Sequence, residues 1–330
     1  MSVVTKNLTH LYESVGLYDA IYNRHLGYKM GEAGGFAKVL ESLENRPKSI
    51  LELYASGNSR HKDFFKLQYH YWSEIETYMG LDLFLKGDPN VICADVGTGD
   101  YGRKFDSIFA FYYGASSAVD PNNSEANITM EYTSKIFSNV LKHLEPGGTF
   151  VMDACTDGYN VALGAICDED EDMRVDEVEI ELGDSLRYEV AAEGIEIRDT
   201  DTVELKTKVK HHYDRMTANN VDTFKYAKVL VNGKTVLRFK IEKPFCQRYF
   251  SEPEIVQMLL GAGFADIDFW CCDYEGADYE NIGKKAKPKN SFDLYGMMPS
   301  VFVAYAPGSK PDSNEEVVNN KLVGDEHAYK

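Results

Sequence analysis

The chain has 330 residues, 44% of them hydrophobic and 27% charged, enough for one large α/β domain with an insertion or for two smaller domains. Its 35 Lys and Arg stand against 53 Asp and Glu, a formal net charge of −18. Such a surface repels duplex nucleic acid and anionic membranes, and no basic run exceeds Lys284-Lys285 with Lys287 and Lys289, so nucleic acid is disfavoured as a partner.

The sequence shows no charged-then-apolar leader and no apolar run long enough to cross a bilayer, so a cytoplasmic protein without a membrane partner is expected. Cys93, Cys155, Cys167, Cys246, Cys271 and Cys272 form no CxxC pair. Reduced, mostly buried thiols and no metal site are therefore expected.

Leu11, Val15 and Leu17, then Phe36, Val39, Leu40 and Leu43, recur at helical spacing and predict helix across 8–45, stopped by Asn45-Arg46-Pro47. Ser49–Leu53 reads as a short buried strand, and a helix carrying Phe64, Phe65, Leu67 and Trp72 follows over roughly 60–77. Tyr78–Asp82, Val91–Asp95 and Phe105–Phe111 read as three further strands. A helix over 125–144 gathers Ile128, Ile136, Phe137, Val140, Leu141 and Leu144 on one side. Glu145-Pro146-Gly147-Gly148 ends it, and Thr149–Ala154 is the fifth strand. Strands alternating with helices predict a parallel sheet covered on both faces.

The pattern then changes. Asp168–Asp172 and Asp176–Glu181 are acidic with little period and no EF-type spacing, which predicts a solvated loop. From 185 to 245 the alternation has period two: Val203, Leu205, Thr207, Val209 and His211 share one face, and Glu204, Lys206, Lys208, Lys210 and His212 the other. Asn232-Gly233 between two such runs signals a type I′ hairpin, so an antiparallel sheet is inserted into the α/β frame. Ser251 and Glu254 form a capping box that opens a helix to about Leu260, and Gly261-Ala262-Gly263 ends it. Phe264–Trp270 and Ser300–Ala306 complete the strands, and 307–330 reads as a disordered polar tail.

A nucleotide-like ligand on such a sheet binds beyond the carboxyl ends of the strands. Glu52, Asp82 and Asp95 stand at three successive strand ends, where a carboxylate can accept both hydroxyls of a ribose. The order ILEL, GLDL, CADV, FDSIFAF and LKHLEPGGTFVMD along roughly residues 18–155 resembles class I S-adenosylmethionine-dependent methyltransferases. Its most specific pieces are the Asp95-to-Asp106 spacing and Leu141–Asp153; Tyr18–Asn23 (YDAIYN) is similar to an N-terminal motif of the small-molecule branch. The inserted sheet followed by Arg248–Phe264 resembles, more loosely, sugar-amine and glycine/sarcosine N-methyltransferases.

The resemblance implies a Rossmann-like α/β sheet with an inserted antiparallel β-sheet, and S-adenosyl-L-methionine as cofactor. Glu52, with Ala55 and Gly57 in the first loop, would meet the methionine end; Asp82 would hold the ribose; Asp95 and the Val96 backbone would hold adenine. Tyr18 and Tyr22 would close over the cofactor, although an i,i+4 aromatic pair on a helix also serves plain packing. Phe111, Tyr112 and Tyr113 would border the methyl group and the substrate. His211 or Tyr113 could take the proton of an amine nucleophile, and Arg248 and Tyr249 could bind a substrate anion. His211 also reads as a core histidine and Arg248 as a salt-bridge partner.

Two departures stand out. The family's first loop is usually Gly-x-Gly, whereas this chain has Tyr54-Ala55-Ser56-Gly57-Asn58-Ser59-Arg60, and the gap from Asp82 to Val91 is short for a helix. A rival register would make Val91–Gly102 the glycine-rich first loop with Asp120 as the ribose acid. It brings Leu141–Asp153 too early and leaves SILEL and YMGLD without a role. The expected organisation is a cofactor-binding core over 1–165, an inserted lid over 166–247, completion of the core over 248–306, and the tail. The expected activity is methyl transfer to a small molecule, an amine above others. The alternatives are a macromolecule methyltransferase or a non-catalytic cofactor-binding partner, and a homodimer is compatible with either.

Overall fold

In the computed structural model the described residues are 3–22, 26–43, 46–55, 60–84, 88–111, 129–154, 174–181, 184–198, 200–214, 219–248, 250–272, 284–285 and 298–308. The elements run β1 (Val4–Leu8), α1 (Val15–Tyr22), α2 (Leu26–Glu41), β2 (Ser49–Leu53), α3 (Arg60–Gln68), β3 (Thr77–Asp82), β4 (Val91–Cys93), β5 (Phe105–Ala110), α4 (Met130–Lys142) and β6 (Leu144–Ala154). They continue with β7 (Arg174–Glu181), α5 (Asp184–Ala192), β8 (Val203–Asp214), β9 (Asn219–Val231), β10 (Lys234–Ile241), β11 (Phe245–Arg248), α6 (Glu252–Ala262), β12 (Asp266–Cys272), β13 (Lys284–Lys285) and β14 (Met298–Tyr305).

Two sheets organise the chain. The larger has the order β13-β12-β14-β6-β5-β2-β3-β4. Strands β2 to β6 are mutually parallel, and β14 runs antiparallel between β6 and β12. Strand β2 lies between β3 and β5, so the chain leaves it first in one direction and then in the other. That central place settles the register: SILEL is the first strand of the frame, and the rival beginning at Val91 is excluded.

Period-two alternation divides the core. Leu51, Leu53, Ile108 and Phe150 face α4 and α6, where Ile136, Phe137, Val140, Ile255 and Leu259 are buried. Ile50, Phe109, Val151 and Val303 face the other way, against Phe36, Leu40, Phe65 and Tyr69 of the α2–α3 side. A sheet covered on both faces needs such apolar runs, and SILEL supplies one.

No described helix lies between β4 and β5; the loop 94–104 covers that part of the sheet instead. Tyr101 fills the space, fully buried, with its ring 4.1 Å from that of His143 and its hydroxyl donating to the Val96 carbonyl at 2.6 Å. The Asn139 amide ties down the Val96 and Gly99 carbonyls from α4. His143 Nδ1 donates to the Asn139 carbonyl, which can only accept, and Nε2 lies 3.3 Å from both the Tyr101 amide nitrogen and an Asp100 carboxylate oxygen. At the opposite end of the strands Asp106 joins β5 to β2, accepting from the Lys48 and Ser49 amides and the Ser49 hydroxyl, each at 2.9 Å.

The second sheet is β1-β10-β9-β8-β7, with β11 on β9. It lies in the chain between β6 and α6, as the period-two pattern predicts, but it also takes the N-terminal strand β1, parallel to β10. Asn232 and Gly233 both have positive φ, 51° and 75°, as a type I′ turn requires. Leu17 and Ile21 of α1 and Leu186 and Val190 of α5 pack with Leu205, Val229, Leu237 and Phe239 of this sheet. Glu189 of α5 fixes the start of α1 by accepting from the Ser14 hydroxyl and the Gly16 amide.

Four sequence expectations are corrected. The segment 8–45 is not one helix: β1 ends at Leu8, a short 3-10 turn covers Leu11–Glu13, and α1 and α2 are separate. The acidic stretch from Arg174 to Glu181 is strand β7 rather than loop, because β8 offers it a register that pairs Glu177 with Lys208 and Glu179 with Lys206. Residues 184–192 form helix α5 where strand was expected. Finally, Glu145–Gly148 does not turn the chain out of the sheet. Strand β6 starts at Leu144, opposite Phe105, and bulges before Thr149 pairs with Ser107. Gly147 (φ 74°) makes the bulge, and a Cβ on Gly148 would meet the Asp106 carbonyl at 2.8 Å. The capping box of Ser251 and Glu254 and the left-handed Gly263 cap form as expected. The tail beyond residue 308 lies outside the described residues.

Tyr101→Ala removes a buried ring and is expected to destabilise the fold by about 3–5 kcal/mol, with Tyr101→Phe costing about 1 kcal/mol, read by urea unfolding. Cysteine chemistry gives a second check. Cys93 is exposed, whereas burial, aided by Asp222, pushes the Cys246 thiol up to about 11. At pH 8, iodoacetamide is expected to label Cys93 in the native protein and Cys246 only after unfolding, as read by peptide mass spectrometry.

Candidate functional site

Strand polarity brings the carboxyl ends of β2, β3, β4, β5 and β6 to one edge of the large sheet. At β2 the strand order reverses, and an open α/β sheet has its natural crevice there. The three acids singled out from the sequence are all in this region.

Glu52 is on β2 beside Gly80, buried, and accepts a hydrogen bond from Tyr78 at 2.9 Å. Burial and then Glu52 hold the Tyr78 phenol well above its ordinary pKa. Asp82 ends β3, opposite Cys93 of β4, and is half-buried. Its Oδ1 accepts the Phe84 amide at 2.7 Å, a tight Asx-type turn. Asp95 lies two residues past β4, where its Oδ1 takes the amide and hydroxyl of Thr98 and its Oδ2 the hydroxyl of Tyr132 at 2.8 Å.

The first loop packs closely on β3. The Ala55 amide donates to the Leu81 carbonyl at 3.1 Å, and Gly80 makes the approach feasible, since a Cβ there would meet the Ala55 Cβ at 2.5 Å. Gly57 lies outside the described residues. Val96 is buried, with its carbonyl held by Tyr101 and Asn139.

The remaining expected residues are distributed more widely. Phe111 is buried against Phe36, ring centroids 4.3 Å apart, and belongs to the core on the α2 side. Tyr18 packs on Tyr12 and Phe245, while Tyr12 stacks on Phe84, two residues beyond Asp82. An aromatic group thus joins the N-terminal segment to the Asp82 end of the crevice. Tyr22 closes α1, and nothing of its side chain is described. His211 is on β8, in register with Arg174 of β7 and Asp222 of β9. Arg248 ends β11, lies 3.9 Å from Glu254 and covers the Phe250 ring, so its packing role is evident. Tyr112, Tyr113 and Tyr249 lie outside the described residues.

Four residues were not singled out by sequence reasoning: Tyr54, Tyr132, Asp153 and Tyr12. Tyr132 is recognisable only once α4 is docked beside the loop after β4. Asp153 is a fully buried carboxylate near the end of β6, and the strand pattern alone marked it as an end point. Tyr54 has φ 58°, a conformation that favours glycine. Among the described residues no group of three His, Cys, Asp or Glu side chains is placed to hold a metal, and no helix is long and apolar enough to cross a membrane.

No family model matches the sequence, and a search of curated proteins finds no relative. Solved structures do match. An S-adenosylmethionine-dependent methyltransferase from Clostridium acetobutylicum aligns with a TM-score of 0.55 at 15% identity, over 88% of this chain and 97% of its own. DesVI from Streptomyces venezuelae gives 0.53 at 17% identity, with coverage of 88% and 97%. The sugar N-methyltransferase KedS8 from a Streptoalloteichus species gives 0.52 at 15% identity, with 93% and 97% covered. The chain therefore has the Rossmann-like class I methyltransferase fold with an inserted antiparallel sheet. At these identities the likeness is one of fold.

The tyrosine cluster gives a pH prediction. Burial raises the Tyr101 phenol, and burial with neighbouring phenols and Asp95 raises Tyr54 well above the ordinary range near 10. The neutral forms are favoured in the folded state, so their contribution is fully present below pH 10 and is lost as the pH rises above it. The urea midpoint is expected to fall between pH 10 and 11 more steeply in the wild type than in Tyr54→Phe.

Proposed function

We propose that the chain is an S-adenosyl-L-methionine-dependent methyltransferase acting on a small molecule, with an amine as the acceptor. The reading rests on one observation above all: carboxylates stand at or just past the carboxyl ends of three adjacent parallel strands, β2, β3 and β4, on one side of the point where the strand order reverses. The donors of an adenosine-type ligand need that set of acceptors. Asp82 would hold the ribose hydroxyls, Asp95 and the Val96 backbone the base, and Glu52 with Ala55 and Gly57 the methionine end. Tyr18 and Tyr22 would close the crevice from the N-terminal side, and Phe111 would support its wall.

When bound, the cofactor supplies a methyl group on a sulfonium, already activated toward a nucleophile. The protein's work is alignment at near-attack distance and exclusion of water. Tyr112 and Tyr113 would border the acceptor, and aromatic faces there would favour a cationic methyl group. An amine attacks with its lone pair and must shed a proton, for which His211 or Tyr113 is the proposed base. Arg248 and Tyr249 are the proposed anchors of an acidic group on the substrate. The net charge of −18 and the fold it shares with a sugar N-methyltransferase favour a small molecule over nucleic acid. A homodimer and a cytoplasmic location remain part of the proposal.

The test is calorimetry with S-adenosylhomocysteine. Wild-type protein is expected to bind, and Asp82→Ala to bind about 1–3 kcal/mol more weakly, the scale of a lost charged hydrogen bond. Equal affinity in the two proteins would remove Asp82 from the ribose site.

A further inference from the structure

One side chain at the crevice has no role in that reading. Tyr54 is the first residue after β2, on the level of Asp82 and Phe111. Its φ of 58° is the left-handed conformation, which strains an ordinary side chain and suits glycine. The ring turns onto the α4–α6 side and packs against the cluster that contains Leu81, Val96, Tyr101 and Tyr132.

The phenol carries a second penalty. Its hydroxyl is buried and has no hydrogen-bond partner among the described residues. Its phenolic neighbours give their own protons elsewhere, Tyr132 to Asp95 and Tyr101 to the Val96 carbonyl, so neither donates to it. Leaving such a group unsatisfied costs its full desolvation penalty. Backbone strain and an orphaned hydroxyl therefore coincide at one residue, beside the carboxylate and backbone assigned to the base of the ligand. Packing alone would be served by phenylalanine without the second penalty, and the turn by glycine without the first.

We propose that Tyr54 is an affinity-determining residue whose ring occupies the base end of the crevice, so that an adenosine-type ligand enters only when this ring is displaced. The inference rests on the crevice being the cofactor site. Ligand affinity is then the intrinsic affinity reduced by the cost of moving the ring, and removing the ring raises it. The ring does the blocking, since it supplies the volume; the hydroxyl only makes the closed position less comfortable.

The experiment is calorimetric titration of the full chain with S-adenosylhomocysteine, comparing wild type with Tyr54→Gly, Tyr54→Ala and Tyr54→Phe. Thermal unfolding of each protein checks that it is folded, and the alanine variant decides the question if the glycine variant does not fold. The glycine and alanine variants are expected to bind at least tenfold more tightly than wild type. The phenylalanine variant, which keeps the ring, should stay within about threefold of wild type. Glycine and alanine variants that bind no better than wild type, while Asp82→Ala weakens binding, would overturn the role of Tyr54 and leave the crevice assignment standing. Absence of binding by wild type and by every Tyr54 variant would overturn the crevice assignment itself, and this inference with it.

Discussion

Strand β2 is hydrogen-bonded on both edges and covered on both faces, and the rest of the molecule is arranged around it. Its pairing with β3 and β5 makes the reversal in strand order and aligns the carboxyl ends of the parallel strands, the place where an open α/β sheet takes its ligands. Residues 49–53 are all buried, so a one-residue slip would exchange Ile50 and Glu52 with Leu51 and Leu53 and bring the acid into the wrong core. Asp106 reinforces the register from the far end through two amides and a hydroxyl of residues 48 and 49.

A loop rather than a described helix covers part of the sheet beside the three acids. Between β4 and β5 the loop 94–104 covers the sheet, and Tyr101, Asn139 and His143 hold it against α4. The same contacts fix Val96 and position Asp95, whose carboxylate is then shared with Tyr132. Tyr54 enters this group from the first loop.

Much of the frame was legible in the primary structure. Short apolar runs bounded by turn residues located β2, β3 and β5, and the Ser251–Glu254 box and Asn232-Gly233 turn formed where they were expected. These signals are local, set by side-chain period and backbone preference within a few residues. Errors arose where partners distant in sequence decided the outcome. Strand β7 looks like an acidic loop until the lysines of β8 lie opposite its glutamates, and β6 continues through Pro146 and Gly147 because a bulge lets it stay paired with β5.

By itself, the sequence determined the class of architecture, the place of the insertion and the three acids at successive strand ends, because alternation and strand boundaries are written in neighbouring residues. Tertiary structure alone decided that β1 joins the inserted sheet, that Tyr132 bonds Asp95 and that the Tyr54 phenol turns into the cluster beside them. The physical reason is range: each of those contacts links elements that meet only when helices dock and sheets close, and no local pattern encodes the direction in which a buried side chain must then point.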